Sequence, residues 1–116
     1  NTKGYQSTAD ALQAHEDLDA IFAINDPSAL GAYNAVEEAK RQDHIKIIAF
    51  DGMPEGKQAI KKGQIFAEPI QHPDKMGRQI VQLIMKYQAG EDFTQETLIP
   101  ATLYTKADAD QDPDLK

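Results

Sequence analysis

The stretch Ile45-Lys-Ile-Ile-Ala-Phe-Asp51-Gly-Met-Pro-Glu-Gly56 joins an apolar run, an acidic tip and a helix start within a dozen residues. Ile45, Ile47, Ile48, Ala49 and Phe50 are apolar on both faces of a pleat apart from Lys46, which suits an interior parallel strand. Asp51 then stands at the carboxyl end of that strand, where open α/β sheets bind their ligands. Gly52 and Pro54 turn the chain, with Pro54 pre-set for a first helical turn and Glu55 at the positive end of the helix dipole.

Working outward, Asp19-Ala-Ile-Phe-Ala-Ile24 is a second continuous apolar run and reads as the strand before it. It ends at Asn25-Asp26-Pro27, where Asp26 is expected to cap a helix running from Pro27 to about Arg41, leaving Asn25 at the strand tip. Upstream, Ser7-Thr-Ala-Asp10 resembles a capping box and predicts a short helix start there, with no strand before it. A parallel unit needs a strand before each helix, so the opening helix is expected to have lost the strand it packs against. Downstream, a helix from Pro54 to Lys61-Lys62-Gly63 leads to a strand over Gln64–Ile70. Pro69 cannot donate to a ladder, which places that strand at an edge or makes it leave its sheet near that point. Gln71 is a third polar strand end. His72-Pro73-Asp74 opens the longest helix, carried by Met76, Ile80, Leu83, Ile84 and Tyr87 and stopped at Ala89-Gly90. Thr97–Tyr104 is rich in strand formers but interrupted by Pro100, and the acidic tail from Lys106 to Lys116 is expected to be disordered. The fold class is therefore α/β, a parallel sheet with flanking helices.

Composition narrows the function. The 116 residues carry 19 acidic against 12 basic side chains, a net charge of −7, which argues against a nucleic-acid surface. There is no cysteine, hence no disulfide framework, thiolate metal site or cysteine nucleophile. His15, His44 and His72 lack the spacing of a metal site, and no phosphate loop, nucleophile elbow or clustered carboxylate pair occurs, so no metal, cofactor or catalysis is expected. Asn25, Asp51 and Gln71 remain, at three successive strand ends. A carboxylate accepts from neighbouring hydroxyls while amides donate and accept, so the trio suits a sugar. Each alone also serves as an ordinary cap or turn residue.

Phe22-Ala-Ile-Asn-Asp-Pro-Ser-Ala-Leu-Gly-Ala-Tyr33, Ile48-Ala-Phe-Asp-Gly-Met-Pro-Glu-Gly56 and Ile70-Gln-His-Pro-Asp-Lys-Met-Gly77, in that order and spacing, resemble the last three motifs of the periplasmic sugar-binding proteins of ABC transporters, in the ribose-binding branch. The resemblance implies the C-terminal part of a two-lobed fold that closes on a monosaccharide-type sugar and hands it to a membrane permease, in the periplasm or anchored outside the cell. It implies that Asn25, Asp51 and Gln71 contact the sugar, and that the remaining, N-terminal part of the protein is a further partner. It also implies a division into residues 1–70, the closing part of the second lobe; residues 71–104, a hinge crossing, a helix of the first lobe and the last crossover strand; and residues 105–116, the tail. Pro69 and Met53 depart from the usual wording, which leaves the sugar open. The rival readings are the effector-binding core of a LacI-type transcription regulator, which shares the fold, and a receiver-type signalling domain, which would need an acidic pair and a Lys at other strand tips.

Overall fold

The apolar run of the central stretch forms β2 (Lys46–Ile48), flanked on one side by β1 (Ala20–Phe22) and on the other by β3 (Ala67–Ile70). The computed structural model describes residues 1–115. Pairing of β1 with β2 and of β2 with β3 is parallel, and β4 (Thr102–Thr105) closes the order β1-β2-β3-β4 antiparallel to β3, with Ala67 opposite Thr105 and Ile70 opposite Thr102. Parallel neighbours need crossovers, and α2 (Asp26–Glu38) and α3 (Pro54–Lys61) supply them. Ile47, Ile60, Ile65 and Val36 are buried between sheet and helices. Each such side chain contributes about 1.5–3 kcal/mol of transfer free energy.

The opening helix, α1 (Thr2–Ala14), starts earlier than Ser7-Thr-Ala-Asp10 suggests. Ser7 and Thr8 lie inside it, and Thr8 is buried. The local capping signature is overridden by packing on α2, where small residues allow close approach. A Cβ on Gly4 would stand 2.3 Å from the Ser28 carbonyl oxygen, and one on Gly31 would stand 2.1 Å from that of Asn1. Arg41 ties down the turn that follows, donating to the carbonyls of Glu16 at 2.9 Å and Leu18 at 3.0 Å. Beside the edge strand β1 lies a slot of about 540 Å³ between α1 and the sheet, lined by Gly4, Thr8, Ala11, Ile21 and Ala23 among others. Phe22 and Ile24 of the same edge are exposed.

Of the two alternatives that Pro69 left open, the strand does not lie at an edge, being interior between β2 and β4, but it does leave its sheet near that point. Its ladder to β2 is short, one paired position at Ile48 and Ala67 plus a bridge between Asp51 and Ile70, and the chain leaves the sheet one residue after Pro69. The missing amide therefore falls where the ladder to β2 is sparse, between its one paired position and the bridge. Contrary to expectation, the acidic tail is not disordered. It forms α5 (Lys106–Gln111) and a 3₁₀ turn (Pro113–Leu115), with Ala109 wholly buried. The Tyr104 hydroxyl donates to Asp112 at 2.6 Å, Lys57 reaches the same carboxylate at 3.2 Å, and Lys61 donates to the Leu115 carbonyl at 2.8 Å. The tyrosine's hydrogen bond, a backbone amide and the lysine together hold the Asp112 carboxyl down at about 2. Lys116 lies outside the described residues.

Residues 1–70 with the segment from Thr102 onward make one compact unit, and Gln71–Ala101 another. The second unit is built on α4 (Pro73–Gln88), whose Met76, Ile80, Val81, Ile84 and Met85 are exposed and whose Tyr87 meets Phe93 edge to face.

Gly31→Ala should destabilise the protein by about 1–3 kcal/mol, because the added methyl has no room against the Asn1 carbonyl. Urea denaturation of the variant against the parent measures it, and an unchanged midpoint would show that α1 does not hold this crossing.

Candidate functional site

Parallel strands present their carboxyl ends at one edge of the sheet, and here β1 and β2 deliver Asn25 and Asp51 to neighbouring tips of the first unit. Asn25 is the N-cap of α2. Its backbone is extended, and its Oδ1 accepts from the Ser28 amide at 3.0 Å. The capping role assigned to Asp26 thus belongs to Asn25, because a cap must precede the first helical residue, and Asp26 already lies in the helix with its side chain buried. Asn25 keeps its carboxamide NH₂ as a donor at the strand tip, since capping uses only the oxygen.

Asp51 is half-buried and has φ of +121°, a left-handed conformation that side chains other than glycine rarely adopt. Gly52 follows at +84°, and a Cβ there would lie 2.4 Å from Ile70 Cγ2. The turn stays in this conformation because three consecutive amides each have a fixed acceptor. Asp51 N–H donates to the Pro69 carbonyl at 3.2 Å, Gly52 N–H to Glu68 Oε2 at 3.3 Å and Met53 N–H to Asp26 Oδ2 at 2.7 Å. Strain of this kind costs of order 1–3 kcal/mol per residue and persists only where the surroundings impose it, which is characteristic of ligand-binding turns.

Two residues of this assembly are not legible as site residues in the sequence. Glu68 is fully buried in β3, and Asp26 is 1% exposed. Burial, reinforced by the neighbouring Asp26 carboxyl, pushes the Glu68 carboxyl up to about 8. The signal available was the lone charge in Ile65-Phe-Ala-Glu-Pro-Ile70, otherwise apolar. Gln71 follows β3 directly, is exposed, and belongs to the second unit. Among the described residues no group of three or more acidic or histidine side chains could hold a metal ion.

The profile of the periplasmic binding protein domain matches residues 1–92. The chain belongs to that family. It is 40% identical over 90 residues to the ribose import binding protein of Salmonella typhimurium, covering 78% of this chain and 30% of that protein. It is 38% identical over 104 residues to the ribose import binding protein of Escherichia coli, covering 90% and 35%. Among solved structures, the glucose-galactose binding protein GanP of Geobacillus stearothermophilus superimposes with a TM-score of 0.86 at 28% identity, over 92% of this chain and 38% of that one. The chain thus spans about a third of the length of these relatives.

Asn25→Ala should cost about 1 kcal/mol by removing the cap acceptor, and Asn25→Asp should cost less because an acceptor oxygen remains. Equal losses in thermal or urea unfolding would show that the Ser28 hydrogen bond is not what Asn25 contributes.

Proposed function

We propose that this chain is part of the sugar-binding component of an ABC transporter, one that encloses a monosaccharide-type sugar between two lobes and delivers it to a membrane permease without catalysing a reaction. In this reading the protein works in the periplasm, or outside the membrane on an anchor in a source without an outer membrane. The observation that carries it is the pair of neighbouring tips: a carboxylate on a strained, backbone-pinned turn beside a carboxamide with its NH₂ in reserve. That pair offers acceptors and donors to the adjacent hydroxyls of a sugar ring. Relatives described as ribose and glucose-galactose binding proteins support the same class of ligand. Gln71, assigned by resemblance, is the third contact.

Residues 1–70 are taken as the closing part of the second lobe, residues 71–104 as the hinge crossing, a helix of the first lobe and the last crossover, and residues 105–116 as a tail. The apolar slot beside β1 has the place and lining for a further parallel strand from the rest of the protein, and the exposed apolar residues of α4 are suited to a partner surface of the first lobe.

In the full-length protein, Asp51→Ala should weaken sugar binding by about 2–4 kcal/mol while the fold survives, because charge-assisted contacts are lost inside a closed cleft. Calorimetric titration with D-ribose, D-glucose and D-galactose measures this. Unchanged affinity for whichever of them binds removes Asp51 from the site, and binding of none of the three by the parent protein rejects the assigned ligand class.

Gln71→Ala tests the hinge. It lies between Pro69 and Pro73, which confine backbone bending to the few residues between them. The variant should bind more weakly and also compact less when saturated with sugar, read by small-angle scattering. Full compaction at saturation would leave Gln71 a contact residue alone.

A further inference from the structure

Asp26 Oδ1 and Glu68 Oε1 are buried oxygens that, among the described residues, receive no donor. Their sister oxygens are engaged, Asp26 Oδ2 by the Met53 amide and Glu68 Oε2 by the Gly52 amide. Two adjacent buried carboxyls cannot both carry charge without a large penalty, whereas one proton between them provides the missing donor and leaves a single charge. The two carboxyls come from different elements, α2 and the interior strand β3, and each holds a consecutive amide of the turn that carries Asp51.

We infer that Asp26 and Glu68 are positioning residues for the ligand turn: one shared proton holds the two carboxyls together, and through them it sets the amides of Gly52 and Met53, so that the turn's affinity for its ligand depends on that proton. The inference rests on the sugar-binding reading for its ligand, though not for the acid pair itself.

Asp26 is confined on one side by α3, since a Cβ on Gly56 would lie 2.4 Å from its Cγ and Oδ1. Glu68 is fixed within β3, opposite Tyr104 of β4. The titratable and charged groups facing Glu68 are Asp26 from α2, Asp51 at the end of β2 and Tyr104 from β4, with Lys57 of α3 held beyond, 4.9 Å over the Tyr104 ring. Two of these neighbours are carboxylates, so a second charge on Glu68 is opposed by both. Two of the hydrogen bonds that hold the turn, from the Gly52 and Met53 amides, end on the pair, so a change in the pair's charge reaches the turn directly.

Burial raises the Glu68 carboxyl to about 8, above the ordinary 4.5. The sign follows. The pair's contribution to stability is complete below the ordinary carboxylate value and is lost as pH rises through about 8, and ligand affinity should hold near neutral pH and fall on the alkaline side.

The test uses the full-length protein, its Glu68→Gln variant, in which a carboxamide donates permanently to Asp26, and Asp26→Asn as the reciprocal change. Amide proton and nitrogen shifts of Gly52 and Met53 are followed from pH 6 to pH 10 without sugar, and affinity for D-ribose, D-glucose and D-galactose is measured over the same range. The parent's two amides should titrate together on the alkaline side, and its affinity should fall by up to about tenfold per pH unit there. Glu68→Gln should abolish both pH dependences, whatever its affinity at neutral pH. Amide shifts that do not titrate, or that titrate alike in parent and Glu68→Gln, overturn the acid pair. Titrating amides with a pH-independent affinity overturn its control of the ligand. Binding of no sugar at any pH overturns the sugar-binding reading, and the amide titration then still decides for or against the pair. If Glu68→Gln fails to fold, the same comparison is made with Asp26→Asn, in which the Glu68 carboxyl loses a neighbouring charge and gains a donor, so that the amide titration must move to lower pH.

Discussion

The hydrogen bond from the Met53 amide to the buried carboxylate of Asp26 joins the first residues after β2 to the first turn of the helix after β1. Without it the two strand tips would be separate loops, each free to follow its own local preferences. With it, and with Gly52 and Asp51 held by Glu68 and the Pro69 carbonyl, three strands converge on one turn. A left-handed aspartate is the local consequence, tolerated because every amide around it has a partner. Gly52 and Gly56 are part of the same constraint, one lying against Ile70 and the other making room for Asp26.

Packing of α1 on α2 depends on smallness more than on apolar bulk. α2 turns Ala29, Ala32, Ala35 and Val36 into the core and lets α1 approach across Gly31. Few large side chains are buried, so the unit relies on close backbone approach and on Arg41, which satisfies carbonyls that the turn between α1 and β1 would otherwise leave to water.

Features set by near neighbours in the chain were readable from it. Pro27, Pro54 and Pro73 each stand at a helix start, the apolar runs around Ile21 and Ile47 became parallel strands, and Asn25 and Asp51 stand at their tips. Features set by distant residues were not. Glu68 sits in an interior strand with one oxygen held by the Gly52 amide and with Asp26, far away in the chain, as its neighbour. The tail is acidic enough to look unstructured, yet Tyr104, Lys57 and Lys61 are placed to receive it. The Ser7-Thr-Ala-Asp10 signature was locally sound, but α2 offers a surface that extends the helix back to Thr2. In each case the deciding partner is remote in sequence, and local propensity is a weak prior against tertiary contact.

The pairing of β3 with β4 has a further meaning for how this chain is written. The two strands are hydrogen-bonded neighbours over four positions, yet residues 71–101 lie between them in sequence. To the first unit, that excursion is a loop whose ends are pinned at Ile70 and Thr102. Closure entropy grows only with the logarithm of loop length, so doubling the excursion would cost about 0.6 kcal/mol. Its length can therefore change at little cost to the first unit, whose stability depends instead on the four-residue register at its base, Ala67 to Ile70 against Thr105 to Thr102.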